Sequence, residues 1–294
     1  MNNITYSIII PHKNSPELLK RCVDSIPPRN DVQVIVVDDN SNPRIVDFKK
    51  IKFSRDVEVY CVDYSKWGGH ARNIGLSKAI GKWILFSDCD DYFEQGFLDV
   101  LDQYSNTDID VVFYDFNLVD SINGFKLSDT YLDKIHSVIQ NYDGSDMLSD
   151  IIKYKIHTVW SKMICRQFIE DNNIRFEEIQ NGNDIMFSFF VGYYASKIEV
   201  IPRTLYNYTY DRNSVSRKKG PIRHYLNVVN SIKRNYFYDF IGHPEWKSNI
   251  LRKLFAPLKY DGFFVFLQTL ILIAKNFTKL TSQRNYYTSK LNKV

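Results

Sequence analysis

The chain has 294 residues, 44% hydrophobic and 15% aromatic, enough to bury a core in one large or two unequal domains. A formal net charge of +4 is too small to imply a nucleic-acid partner, and it is unevenly placed. From Trp246 onward nine basic residues face the single acid Asp261, a local +8 that leaves −4 for residues 1–245. Cys22, Cys61, Cys89 and Cys165 show neither C-x-x-C pairing nor metal-ligand spacing, which points to reduced thiols in a cytoplasmic protein. The opening MNNITYSIIIPHKN lacks a basic n-region, and its apolar run is too short for a signal peptide.

Strand and helix patterns alternate through the first 120 residues. YSIII (6–10) is a short β-branched run stopped by Pro11. SPELLKRCVDSI (15–26) has helical spacing, with Ser15 as N-cap, Pro16 at the first helical position, and Leu18, Leu19, Cys22, Val23 and Ile26 on one face. VQVIVV (32–37) and VEVYCV (57–62) read as buried-type strands. GGHARNIGLSKAI (68–80) reads as a glycine turn leading into a helix, and KWILF (82–86) as the next strand. A helix over 94–104 and a strand over 110–116 close this part. Beyond it, 117–145 reads as loop and short strands, and 146–175 as helical around DMLSDIIKY and CRQFIEDNNI. DIMFSFFVGYYAS reads as helix, KIEVIPRTLYNYTY as extended, and the chain from about 221 as helical and basic.

Uninterrupted apolar strands alternating with helices predict an α/β, mostly parallel sheet covered on both faces. In such sheets ligands bind beyond the carboxyl ends of the strands. Three polar clusters fall there: PHKN after the first strand, DDNS after the second and SDCDD after WILF. Alone, SDCDD reads as an ordinary solvated turn, since Asp and Ser favour turns for local hydrogen-bonding reasons. Together the clusters read as a site. Hard oxygen ligands spaced like Asp88 and Asp90 suit Mg²⁺ or Mn²⁺ carried by a phosphorylated substrate, and the cation offsets the repulsion among the acids.

The combination SIIIPHKNSPELLKRCVDSI, VQVIVVDDNS, GGHARNIGLSKAIGKWILFSDCDD and GNDIMFSFF resembles the GT-A fold glycosyltransferases of family 2 over roughly residues 5–215. The resemblance implies a GT-A (Rossmann-like) domain over 1–220 with a nucleotide-binding half (1–116) and an acceptor-binding half (117–220), followed by a helical basic region, 221–294. It implies an inverting transfer from a nucleotide-diphospho-sugar, usually a UDP-sugar, to a glycan or lipid-linked acceptor in bacterial surface polysaccharide synthesis. Pro11 and Asn14 match the loop lining the nucleotide pocket. Asp39 matches the carboxylate that bonds the nucleobase, Asp38 its structural neighbour, and Arg72 and Asn73 the segment closing over base and phosphates. Asp88 and Asp90 form the D-x-D that holds Mn²⁺ or Mg²⁺, Asp88 leaning to the ribose and Asp90 to the metal, and Asp91 is a supporting acid near the sugar. Asp184 matches the base that deprotonates the acceptor hydroxyl; its bland alternative is a helix N-cap. Two departures stand out: Asn183 where the family more often has Glu, and Lys13 where many members have an aromatic residue.

Trp160 in HTVWSKM reads either as part of an acceptor wall or as a core residue, and His70 and His157 as non-ligands. Arg212 or Arg217 in YDRNSVSRKK can reach a diphosphate, or the loop is simply solvated. GFFVFLQTLILIA (262–274) is shorter than the roughly 20 residues needed to cross a bilayer. With Lys259, Lys275 and Lys279 beside it, it suits peripheral contact with an anionic membrane at the inner face, or packing on the domain. A non-catalytic nucleotide-sugar-binding module and a D-x-D phosphohydrolase are the competing readings. The second places its pair after the first strand, whereas here it follows the fourth. A nucleotidyltransferase would want a glycine-rich phosphate loop after the first strand, which PHKNSPE lacks.

Overall fold

A computed structural model describes residues 4–211 and 220–276. The chain divides into two compact units between Asp211 and Arg212.

In the first unit, β1 (Tyr6–His12) and β2 (Val32–Asp38) are buried almost throughout, as runs with no polar alternation require. β3 (Glu58–Cys61) is a partly exposed edge strand, and β4 (Trp83–Phe86) is wholly buried. Helix α1 (Pro16–Asp24) buries Leu19, Cys22 and Val23. Ser15 occupies its N-cap position, but its hydroxyl donates to the Lys13 carbonyl (3.2 Å) and makes no capping bond. Helix α2 (Trp67–Lys78) packs on β1 and β2. It approaches so closely that a Cβ on Gly75 would lie 2.3 Å from Ile9 Cγ2.

The next stretch departs from the sequence reading in three places. The 94–104 helix shortens to α3 (Phe97–Leu101) and a 3₁₀ turn, preceded by a two-residue strand, β5 (Tyr92–Phe93). Strand β6 runs on to Asp120 (Val111–Asp120), and the expected loop contains helix α4 (Thr130–Gln140). The Asp129 carboxylate caps α4 by accepting from the Tyr131 and Leu132 amides (2.9 and 3.1 Å), and Ile135 and Ile139 form its buried face. The third departure is β7 (Lys162–Cys165), between α5 (Asp146–Lys155) and α6 (Arg166–Asp171) in a stretch read as helical. Four residues carry little periodicity, and pairing with both neighbours decides their state. Helix α7 (Asn183–Tyr194) and strand β8 (Ile198–Tyr210) complete the unit.

The strands form one sheet in the order β3-β2-β1-β4-β7-β6-β8-β5. β1, β2, β3, β4, β6 and β8 run one way; β7 and β5 run against them. The sheet is therefore mostly parallel, with the antiparallel β7 set between its two parallel groups.

In the second unit, α8 (Pro221–Phe240) packs on α9 (Ile250–Tyr260) and α10 (Phe263–Lys275). Phe255 and Phe266 stack across α9 and α10 (centroids 5.5 Å apart), and His224 Nε2 meets Asp261 Oδ2 at 2.5 Å. Leu251, Phe255, Phe263, Phe264 and Ile271 stay exposed, Phe264 at 80%. No helix among the described residues is long and apolar enough to cross a membrane.

Candidate active site

The carboxyl ends of β1, β2 and β4 lie side by side, because β1 pairs in parallel with both neighbours. The three polar clusters therefore share one sheet edge.

The β2 cluster is saturated by protein bonds. Asp38, 4% exposed, meets His12 Nδ1 at 2.7 Å and accepts from the Ser41 amide (2.9 Å) and hydroxyl (2.5 Å). Burial opposes its charge, but these bonds from His12 and Ser41 win and hold its pKa below the usual carboxylate value. Asp39, equally buried, accepts from the Lys66 and Trp67 amides (2.8 and 3.2 Å) and the Ser65 hydroxyl, with Lys13 Nζ at 3.5 Å. Asn14 accepts from the Asn42 amide (2.7 Å) and its own amide donates to Ser41 (2.8 Å), tying the β1 loop to the β2 loop. Pro11, in β1, registers with Val37.

The β4 cluster is arranged differently. Asp88, its side chain partly exposed, pairs with the Arg72 guanidinium. Asp90 has no ion-pair partner among the described residues; burial and the adjoining Asp88 charge push its pKa up to about 6. Asp91 is wholly buried, so it touches no ligand in this conformation. Its carboxylate accepts from the Tyr206 hydroxyl (2.8 Å) and the Thr209 amide (2.7 Å), and burial with the charges of Asp90 and Asp88 drives its pKa far up. Cys89, between the acids, also has its thiol pKa raised by burial and by Asp90.

Arg72 joins the two walls. One guanidinium nitrogen donates to Asp88, and another donates to Asn183 Oδ1 (2.9 Å), the residue before Asp184. The approach depends on Gly69: a Cβ there would lie 2.1 Å from the Glu177 carbonyl and 3.0 Å from Asn183 Cβ. Asp184 lies in the first turn of α7; the N-cap position is Gly182, in the left-handed region at φ 73°. The capping alternative for Asp184 thus falls away. Burial raises the Asp184 pKa, Arg72 and Lys162 oppose the rise, and Asp88 adds to it. A carboxylate tuned upward suits a general base.

Asn73 does not join this group. Its amide donates to the Phe176 carbonyl (3.0 Å) and accepts from the Phe176 amide (2.9 Å), anchoring that segment to α2. Trp160 is 5% exposed and stacks on Tyr206 and Tyr208 (5.0 and 5.2 Å), so of its two readings the core one holds. His70 meets Glu178 (2.9 Å), and His157 lies edge-on to Phe189 (4.8 Å). Arg212 and Arg217 lie outside the described residues.

Several residues escaped the sequence reading. Arg21 donates to the Asp90 carbonyl and to Thr209 Oγ1 (3.3 Å) from the far face of α1. Lys162, fully buried in β7, donates to the Ile156 (2.9 Å) and Thr158 carbonyls; burial lowers its pKa to about 7 although Asp184 favours its charge. The one available signal was a lysine inside the short apolar run SKMIC.

Residues 7–167 match the family described as Glycosyl transferase family 2. The chain belongs to glycosyl transferase family 2. Similar proteins include the glycosyltransferase GlyA of Streptococcus pneumoniae, 25% identical over 72% of this chain and 31% of GlyA. The uncharacterized glycosyltransferase YibD of Escherichia coli is 24% identical over 83% of this chain and 75% of YibD. The poly(ribitol-phosphate) beta-N-acetylglucosaminyltransferase TarS of Staphylococcus aureus is 24% identical over 70% of this chain and 36% of TarS. The chain thus spans about a third of the length of GlyA and TarS. In fold it is similar to S. aureus TarS 1–349 in complex with UDP-GlcNAc, with TM-score 0.58 and 20% identity over 86% of this chain and 73% of that one.

Proposed function

We propose that this family 2 glycosyltransferase moves a sugar, with inversion, from a UDP-sugar to a glycan or lipid-linked acceptor of a bacterial surface polysaccharide. The observation that carries the reading is the Arg72 bridge, which ties the D-x-D acid Asp88 to Asn183, the residue before Asp184. An inverting displacement needs a base on the acceptor side and charge stabilisation on the diphosphate side, and the two walls offer these separately. Asp184 takes the acceptor proton as its oxygen bonds to the anomeric carbon and the diphosphate leaves on the opposite face. Asp39 and Asn14 line the nucleotide side in this reading. Pro11 and Asp38 shape that loop, Asn73 holds the segment beside it, and Asp91 supports the acids from behind.

The acids suit Mn²⁺ or Mg²⁺. Among the described residues no group of three or more His, Cys, Asp or Glu side chains is arranged to hold a metal alone. Asp90, partly exposed beside a second carboxylate, nonetheless has no ion-pair partner among the described residues, a position that a cation relieves. Asp90 and Asp88 would hold the metal together with substrate phosphate oxygens. When bound, it would neutralise charge developing on the leaving diphosphate.

We keep the nucleotide-binding (1–116) and acceptor-binding (117–220) halves within this reading. We also assign the protein to the cytoplasm, with the basic region from 246 touching the inner face of the membrane. The exposed apolar residues of α9 and α10 beside Arg252, Lys253 and Lys259 support that contact.

The test is a screen of nucleotide sugars with Mn²⁺, read as donor hydrolysis or transfer. A UDP-sugar turned over by the wild type and not by Asp184→Asn supports the proposal. Binding of UDP-sugars with no turnover of any donor, hydrolysis included, favours the non-catalytic module.

A further inference from the structure

We infer that Tyr206 is a positioning residue that fixes the SDCDD turn in its ligand-ready shape. The inference rests on the donor-site reading above. Its hydroxyl is fully used: it donates to Asp91 Oδ2 (2.8 Å), accepts from the Asp88 amide (3.0 Å) and meets Ser87 Oγ at 3.1 Å. One phenol therefore holds both ends of the acidic turn, the backbone at Asp88 and the carboxylate at Asp91.

The ring is immobilised independently. It stacks on Trp160 (5.0 Å, 11° between planes) and takes Phe93 edge-on at 5.2 Å, and the whole residue is buried. Strand β8 grips the turn again through the Thr209 amide on Asp91 Oδ1 (2.7 Å), and Arg21 spans the Asp90 carbonyl and Thr209. The carboxylate of Asp90 is left out of all these contacts. The backbone around it is clamped on both sides while its side chain has no ion-pair partner among the described residues, which is how a ligand carboxylate is preorganised. Groups that orient ligand residues from behind typically contribute 10- to 100-fold in metal affinity.

Tyr206→Phe keeps the stacked ring and removes the hydroxyl, leaving the Asp88 amide and Asp91 Oδ2 without this partner. UDP binding to the full chain is measured by calorimetry, once with Mn²⁺ and once with EDTA, alongside a melting curve. The expected result is a roughly tenfold weaker dissociation constant with Mn²⁺ and a value within twofold of wild type in EDTA. An unchanged constant in both conditions overturns the inference, and so does an equal loss in both, which marks a merely structural role. If Tyr206→Phe does not fold, Ser87→Ala decides in the same assay. An approximately threefold loss confined to Mn²⁺ supports the role, and no such loss overturns it. Wild-type protein whose UDP binding gains nothing from Mn²⁺ overturns the donor-site reading itself, and the positioning role with it.

Discussion

The two acidic turns at the sheet edge, DDNS after β2 and SDCDD after β4, look alike in sequence and behave oppositely in space. In the first, both carboxylates are spent on the protein: Asp38 on His12 and Ser41, Asp39 on the 65–67 segment. In the second, Asp91 alone is buried in that way, while Asp88 is partly exposed and paired with Arg72 and Asp90 has no ion-pair partner among the described residues. In the proposed reading, the donors converging on Asp38 mark an acid that holds the fold, whereas Asp90, kept for a ligand, is held through its backbone.

Four measurements test that contrast, in decreasing order of expected effect. The proposed function places Asp184 with the reserved acids, so Asp184→Asn should lower transfer by about 10²- to 10⁴-fold while UDP affinity stays near wild type. A fully active variant would remove Asp184 from the base role. Asp90→Ala should abolish the gain in UDP affinity that Mn²⁺ confers, by 10-fold or more on the scale of a lost metal ligand, and should leave the melting temperature unchanged or raised. Asp38→Ala should do the reverse. Leaving the Ser41 amide and His12 without their acceptor should cost about 2–4 kcal/mol in a denaturant titration. A variant as stable as wild type would show that Asp38 is not a fold-holding acid.

The smallest effect concerns Lys162. Its folded pKa, near 7, lies below the usual lysine value, so between about pH 7 and 10 the unfolded chain binds more protons than the folded one. Stability from this group therefore rises with pH across that window. Wild type should gain about 2 kcal/mol over Lys162→Met between pH 7 and pH 9, read as the difference of their unfolding free energies. A pH-independent difference would mean that the two carbonyl partners keep the ammonium charged throughout.

The parallel half of the sheet was legible from sequence because its strands are buried on both faces and read as unbroken apolar runs. β7 and β5 were not, since four residues and two residues are too short to show a period and owe their state to neighbouring strands. Helix α4 carries an Asp129 cap and an Ile135–Ile139 pair, but the polar residues around them give the stretch the pattern of a loop. For the proposed site, the motifs single out Asp88, Asp90 and Asp184. They could not separate Asp91 from its neighbours, because only the fold shows Tyr206 and Thr209 closing over it. Asn73 likewise carries a motif position but spends its amide on Phe176.

The paired glycines at the start of α2 set unequal limits on sequence drift. At Gly68 the nearest obstacle to a methyl group is the tip of the Arg72 side chain, 3.1 Å away, which can give by the few tenths of an ångström needed without leaving its partners. At Gly69 the obstacle is the Glu177 main chain at 2.1 Å, which cannot. A saturation library at these two positions should accept alanine at the first and return glycine alone at the second. Position 69 is thus frozen by shape, with no chemistry of its own. Lineages that alter the segment leading to Asp184 must do so without widening that gap, or must rebuild both sides at once.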